Sequence, residues 1–164
     1  MKPLIALGGG LAGACAVTLI HETIRRVVPE APRMDLLGMN AISKGLHATG
    51  RKVPEDNRLF TLALAGDLVS NALFYSLAGA GKEKNIWVRS AALGMAAGLG
   101  AVALPEPLGL NGKYSNRTLS TQIMTVGLYV AGAIVTTAVI KFLEHRKKKE
   151  KDVWEQRLVT SAMG

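Results

Sequence analysis

Twenty-three consecutive residues, Thr118 to Ile140, carry no charge, and the run stops at Lys141, shortly before the basic cluster Arg146, Lys147, Lys148 and Lys149. At about 1.5 Å of helical rise per residue such a segment crosses a hydrocarbon core of about 30 Å, and the cations beyond it resist further insertion. A chain built around this segment folds in a membrane.

Two more segments repeat the pattern: Pro3 to Ile20 is uncharged, and Leu59 to Gly81 holds a single carboxylate, Asp67. A fourth, Ser90 to Leu104, is uncharged but made largely of Ala and Gly, so its transfer free energy per residue is small; it either spans or dips in and returns. These segments predict an all-α integral membrane bundle of four transmembrane helices over about residues 3–28, 59–81, 88–104 and 119–143, the alternative being three helices plus one re-entrant segment. Residues 1–143 form the membrane domain and 144–164 a basic tail.

A length of 164 residues and a mean hydropathy of +0.23 leave room for one small bundle and no second domain. The single cysteine, Cys15, excludes an intramolecular disulfide and reads as a small packing residue of the first span. A formal charge of +8 does not point to nucleic acid, because the cations gather at Arg25 to Arg58 and Lys141 to Arg157, beside apolar segments and without interleaved aromatics. Juxtamembrane Lys and Arg set topology and meet anionic headgroups, each contributing about 1 kcal/mol near the surface.

Two motifs near the start of the chain mislead. Gly8 to Gly13 reads G-G-G-L-A-G and has Glu30 downstream, as a dinucleotide fingerprint does, but the strands alternating with amphipathic helices that such a fold needs do not follow. No dinucleotide or other cofactor is expected. Lys2 with Ala12, Ala14 and Ala16 imitates a secretory signal, yet the apolar run continues to Ile20, so an uncleaved first helix is expected. His21, His47 and His145 are far apart, and no H-E-x-x-H, G-x-S-x-G or phosphate loop occurs; neither a metal site nor an enzymatic activity is expected.

The first helix should run from Pro3 to Val28, with Pro29 and Pro32 as breakers. In the polar stretch that follows, Leu36, Met39, Ile42 and Leu46 recur at helical spacing, which suits a short amphipathic helix in the interface plane. Small residues recur four apart at Gly9 and Gly13, Gly66 and Ser70, Gly94 and Gly98, and Gly127 and Ala131. Such pairs let helix backbones approach closely, within a bundle or between copies. Pro105, Glu106 and Pro107 form a stiff turn after the third segment.

With four spans the two termini and the second loop share a side holding eleven Lys and Arg against nine opposite; with three the split is fourteen to six, and both schemes leave the tail cytoplasmic.

Asp67 lies mid-span with Ser70 and Asn71 on its own helical face. A carboxylate at that depth has to face the bundle or be protonated, which suits either a proton or cation site or an interhelical bond to Arg25 or Arg89. His21, Glu22 and Arg25 form a second polar set, read as a self-paired, snorkelling helix end or as a titrating histidine. The expected function is that of a non-enzymatic accessory or interaction protein of the cell inner membrane, with the lipid bilayer, a membrane-protein partner or a second copy as its contacts. The alternative is a small proton- or cation-coupled transporter or channel using Asp67 and Asn71.

Overall fold

The computed structural model describes residues 3–162, which form helices, turns and short connections. Helix α1, Pro3–Val27, starts on a proline, whose missing N–H costs nothing in a first turn, and stops just before Pro29. It is followed by α2 (Met34–Ala48), α3 (Asp56–Ser76) with a 3-10 turn at Leu77–Gly79, a second such turn at Glu83–Asn85, α4 (Ile86–Ala103), the single turn α5 (Lys113–Asn116) and the long α6 (Leu119–Ala162). Four stretches are long and apolar enough to cross a membrane: Pro3–Val27, Asp56–Gly79, Glu83–Ala103 and Leu119–Leu158. The chain is an all-α bundle of multi-pass type.

Helices α1 and α6 form the antiparallel centre, brought together by glycine. A Cβ on Gly9 would lie 3.0 Å from the Thr136 carbonyl oxygen, and one on Gly13 would lie 2.6 Å from that of Gly132. Helix α3 lies on α1, where a Cβ on Gly10 would meet the carbonyl of Ala72 and the amide of Ser76. Helix α4 lies on α6, where a Cβ on Gly94 would be 2.8 Å from that of Ala133, and one on Gly98 would be 2.7 Å from the Val126 Cα. Backbone approach of this kind substitutes for the hydrophobic force that lipid cannot supply.

The same glycines decide between a span and a re-entrant segment. Ile86, at the start of α4, clusters with Ile5, Ala78 and Ile140 at one end of the bundle. At the other end the Asn116 side-chain amide donates to the Val102 carbonyl at 3.3 Å. Helix α4 therefore crosses the whole bundle antiparallel to α6, and the re-entrant alternative falls. An Ala/Gly composition that weakens transfer into lipid is also what fits this helix closely against α6.

Three expectations need correction. A Cβ on Gly66 or on Gly127 would have no atom within 4 Å, and these two glycines face outward with Ser70; the inward small residues are Gly10 and Gly132. Cys15 is exposed on the outer side of α1 and is not one of its buried packing residues. Helix α2 does not rest on the interface alone. Its Leu37 is buried, a Cβ on Gly38 would be 3.2 Å from that of Ala63 on α3, and Lys44 Nζ donates to the Leu108 carbonyl at 2.9 Å.

The inward face of α6 is rich in hydroxyls: Thr125, Thr136 and Thr137 are fully buried and donate to the carbonyls of Thr121, Gly132 and Ala133, one turn back. Local back-bonding leaves these polar groups satisfied in an apolar setting. Beyond Ile140 the helix continues without a break through the boundary expected at 143–144, for about 33 Å to Ala162.

Candidate functional site: a polar cavity between three helices

Asp67 sits near the middle of α3, and the helical offset of four residues puts Asn71 on the same inward face, where its Nδ2 donates to Asp67 Oδ1 at 3.0 Å. Asn71 is buried. Ser70 does not join them: it is exposed, and its hydroxyl donates to the Asp67 backbone carbonyl at 3.1 Å. The ion pairs expected for Asp67 with Arg25 or Arg89 are also not made. Arg89 Nε donates to the Ala78 carbonyl at 2.8 Å, and Arg25 belongs to another cluster.

That cluster is built on the last turns of α1. Arg25 donates through Nε and NH2 to both oxygens of Glu22, at 2.7 and 2.6 Å, and its guanidinium lies 5.7 Å from the centre of the Phe60 ring. The two-pronged bond and the ring face both suit a planar guanidinium. This much is the self-paired helix end expected from sequence.

The reversal at Pro29 and Pro32 adds a member that sequence spacing does not reveal. It brings Asp35, in the first turn of α2, beside Arg25 (3.4 Å) and His21 (3.9 Å), while Arg33 grips both Asp35 oxygens at 3.0 and 2.8 Å. Burial pushes the Asp35 carboxyl up, but the hydrogen bonds and charge of Arg33, helped by Arg25, outweigh it and hold the group below the usual carboxylate range. No periodicity links residue 35 to residue 21. The only signal is a proline-bounded turn with an acid three residues after its second proline.

His21 is buried and stands between these groups. Its Nε2 is 3.1 Å from the Pro32 carbonyl oxygen and 3.2 Å from the Met34 amide, and its Nδ1 is 3.7 Å from Glu22 Oε1. Beside it lies a cavity of about 20 Å³, lined by Thr18, His21, Glu22, Met34, Asp35 and Asp67 among others. A space of that size holds one water. The Thr18 hydroxyl oxygen is buried and has no hydrogen-bond partner. Thus the two polar sets that the sequence presents separately, Asp67 with Asn71 and His21 with Glu22 and Arg25, meet around one cavity between α1, α2 and α3.

Among the described residues no three His, Cys, Asp or Glu side chains converge to hold a metal ion. Gly9, Gly13, Gly94 and Gly98 lie at the helix contacts described above. Comparison with known protein families, curated proteins and solved structures gave no match to this chain.

Proposed function

We propose that this protein is a non-enzymatic accessory or interaction protein of the cell inner membrane, which presents the emergent part of α6 on the cytoplasmic side to a protein partner. One observation carries the reading: α6 leaves the bundle as a helix and exposes Val153, Trp154 and Leu158. Val153 lies about 18 Å beyond Lys141 along the axis of a straight helix, further than the headgroup layer of about 5–8 Å. Lipid does not cover an apolar cluster there, whereas a groove on a protein does. The basic run from Lys141 to Lys149 lies nearer the membrane and suits anionic headgroups rather than nucleic acid. The cytoplasmic placement follows the excess of Lys and Arg on the tail side, eleven against nine.

The test is purification in gentle detergent through a C-terminal tag, with mass spectrometry of the proteins that accompany it. The expected result is a stoichiometric partner that the double variant Trp154→Ala, Leu158→Ala loses while its helical content stays unchanged. A partner retained by that variant would overturn the α6 contact.

The second reading is a small proton- or cation-coupled transporter or channel built on Asp67 and Asn71, supported by the meeting of Asp67 with His21, Glu22 and Asp35 around one cavity. On that reading Asp67→Asn abolishes flux in reconstituted vesicles. In an accessory protein the same change alters stability alone.

A further inference from the structure

We propose that Thr18, His21 and Asp67 form a one-water proton-exchange site that passes a proton between the Pro29–Arg33 end of the bundle and the Asp67 carboxyl midway along α3. The inference rests on the second reading above, in that it takes Asp67 to be a working ionisable group, and it adds the ligand, the route and the side of access.

Three observations carry it. The cavity beside Asp67 and His21 measures about 20 Å³, which is the size of a water site and too small for an organic solute. Thr18, which lines it, has a buried hydroxyl oxygen without a partner, as a group that bonds to such a water would. The third concerns His21, whose Nε2 lies 3.1 Å from the Pro32 carbonyl oxygen and donates to it in the protonated ring and in the Nε2–H neutral ring alike. Nδ1, on the side of Glu22, is then the nitrogen at which the ring gains and loses a proton.

Asp67 is arranged to receive it. Its Oδ1 accepts from Asn71, and its Oδ2 makes no hydrogen bond among the described residues. In the transfer the imidazolium gives its Nδ1 proton to the water and keeps Nε2–H on the Pro32 carbonyl, while the water gives another proton to Asp67 Oδ2. A charged pair becomes a neutral histidine and a neutral acid, with no net change in charge and a smaller electrostatic cost inside the membrane. The charged groups around the route are Glu22 and Arg25 from α1 and Asp35 and Arg33 beside them from the α2 side, with the phenols of Tyr75 on α3 and Tyr129 on α6 deeper in. Glu22 and Asp35 face the His21 ring, and Arg25 and Arg33 pair with those carboxylates, so the charges at this end of the route are already paired with one another.

The test uses the full-length protein in vesicles of phosphatidylethanolamine and phosphatidylglycerol. Infrared spectroscopy identifies the Asp67 carboxylic carbonyl band by its loss in Asp67→Asn, and transfer to D2O then gives its exchange rate. The expected result is exchange slowed at least about tenfold in both Thr18→Val and His21→Asn. Rates unchanged in both overturn the route, while leaving a protonated Asp67 available to the second reading. If no carbonyl band depends on Asp67 at any accessible pH, the inference and that reading fall together. Should His21→Asn lose its helical fold, Thr18→Val decides, because it keeps the volume and removes only the hydroxyl.

Discussion

At the scale of single residues, the chemistry of this protein is decided by which polar groups find partners inside the bundle. The Asp67–Asn71 bond is legible in the sequence, since residues four apart on a helix meet whatever the helix packs against. The place of Asp35 is not, because it depends on a chain reversal that spacing does not encode. Asp35 also gives a pH prediction. Its carboxyl is held below its usual range in the folded protein, so the stabilisation it provides is present above the unfolded value of about 3.9 and is lost as pH falls through the lower, folded one. Asp35→Asn should cost about 1–3 kcal/mol at neutral pH. Below about pH 4 the cost should shrink, as the wild-type carboxyl also becomes neutral. Thermal unfolding followed by circular dichroism at both pH values checks this; an equal loss at both would show that Asp35 acts through shape alone.

At the scale of elements, the helices are positioned by the few glycines that face another backbone. The repeats four residues apart are all readable in the sequence, but which of them face inward is not. Gly94 and Gly98 meet α6, whereas Gly66 and Gly127 face outward, since lipid and neighbouring helices are equally apolar and hydropathy does not distinguish them. The contrast predicts opposite behaviour under one substitution. In Gly98→Ala the new methyl would lie 2.7 Å from the Val126 Cα, a backbone atom that has nowhere to go, and the loss should be about 1–3 kcal/mol. Gly66→Ala meets nothing and, in the interior of α3, should hold or raise stability by up to about 1 kcal/mol. Unfolding midpoints in one detergent compare the two directly, and equal losses would contradict the α4–α6 contact. Helix α6 shows the same limit of hydropathy. A change from apolar to charged residues marks its tail as a separate segment, but strong helix formers such as Lys, Glu and Arg continue the span without a cap to stop it.

At the scale of the whole molecule, the antiparallel pairing of α1 with α6 fixes which ends lie together. Ile5, Ala78, Ile86 and Ile140 form one cluster, so the start of α1, the α3–α4 connection and the exit of α6 share one end of the bundle. The opposite end gathers Pro29, Glu30 and Arg117: Arg117 donates to the Pro29 carbonyl at 2.6 Å, and Thr121 donates to that of Glu30 at 2.8 Å. Reporters fused to the two ends of the chain should therefore be accessible from the same side, and one inserted at 50–52, between α2 and α3, from the other. Protease protection of sealed vesicles gives the answer. End reporters on opposite sides would rule out four crossings.

By itself the sequence determined that this chain is helical and membrane-embedded, with four apolar segments, a basic exit and one carboxylate at depth, because uncharged length and the placement of cations are local quantities that the bilayer reads directly. Only the tertiary structure decided that the Ala/Gly segment crosses, which glycines are contacts, and that His21, Asp35 and Asp67 share a cavity. Those outcomes depend on backbone approach and on a proline-bounded reversal between helices, and neither changes the hydropathy of any residue involved.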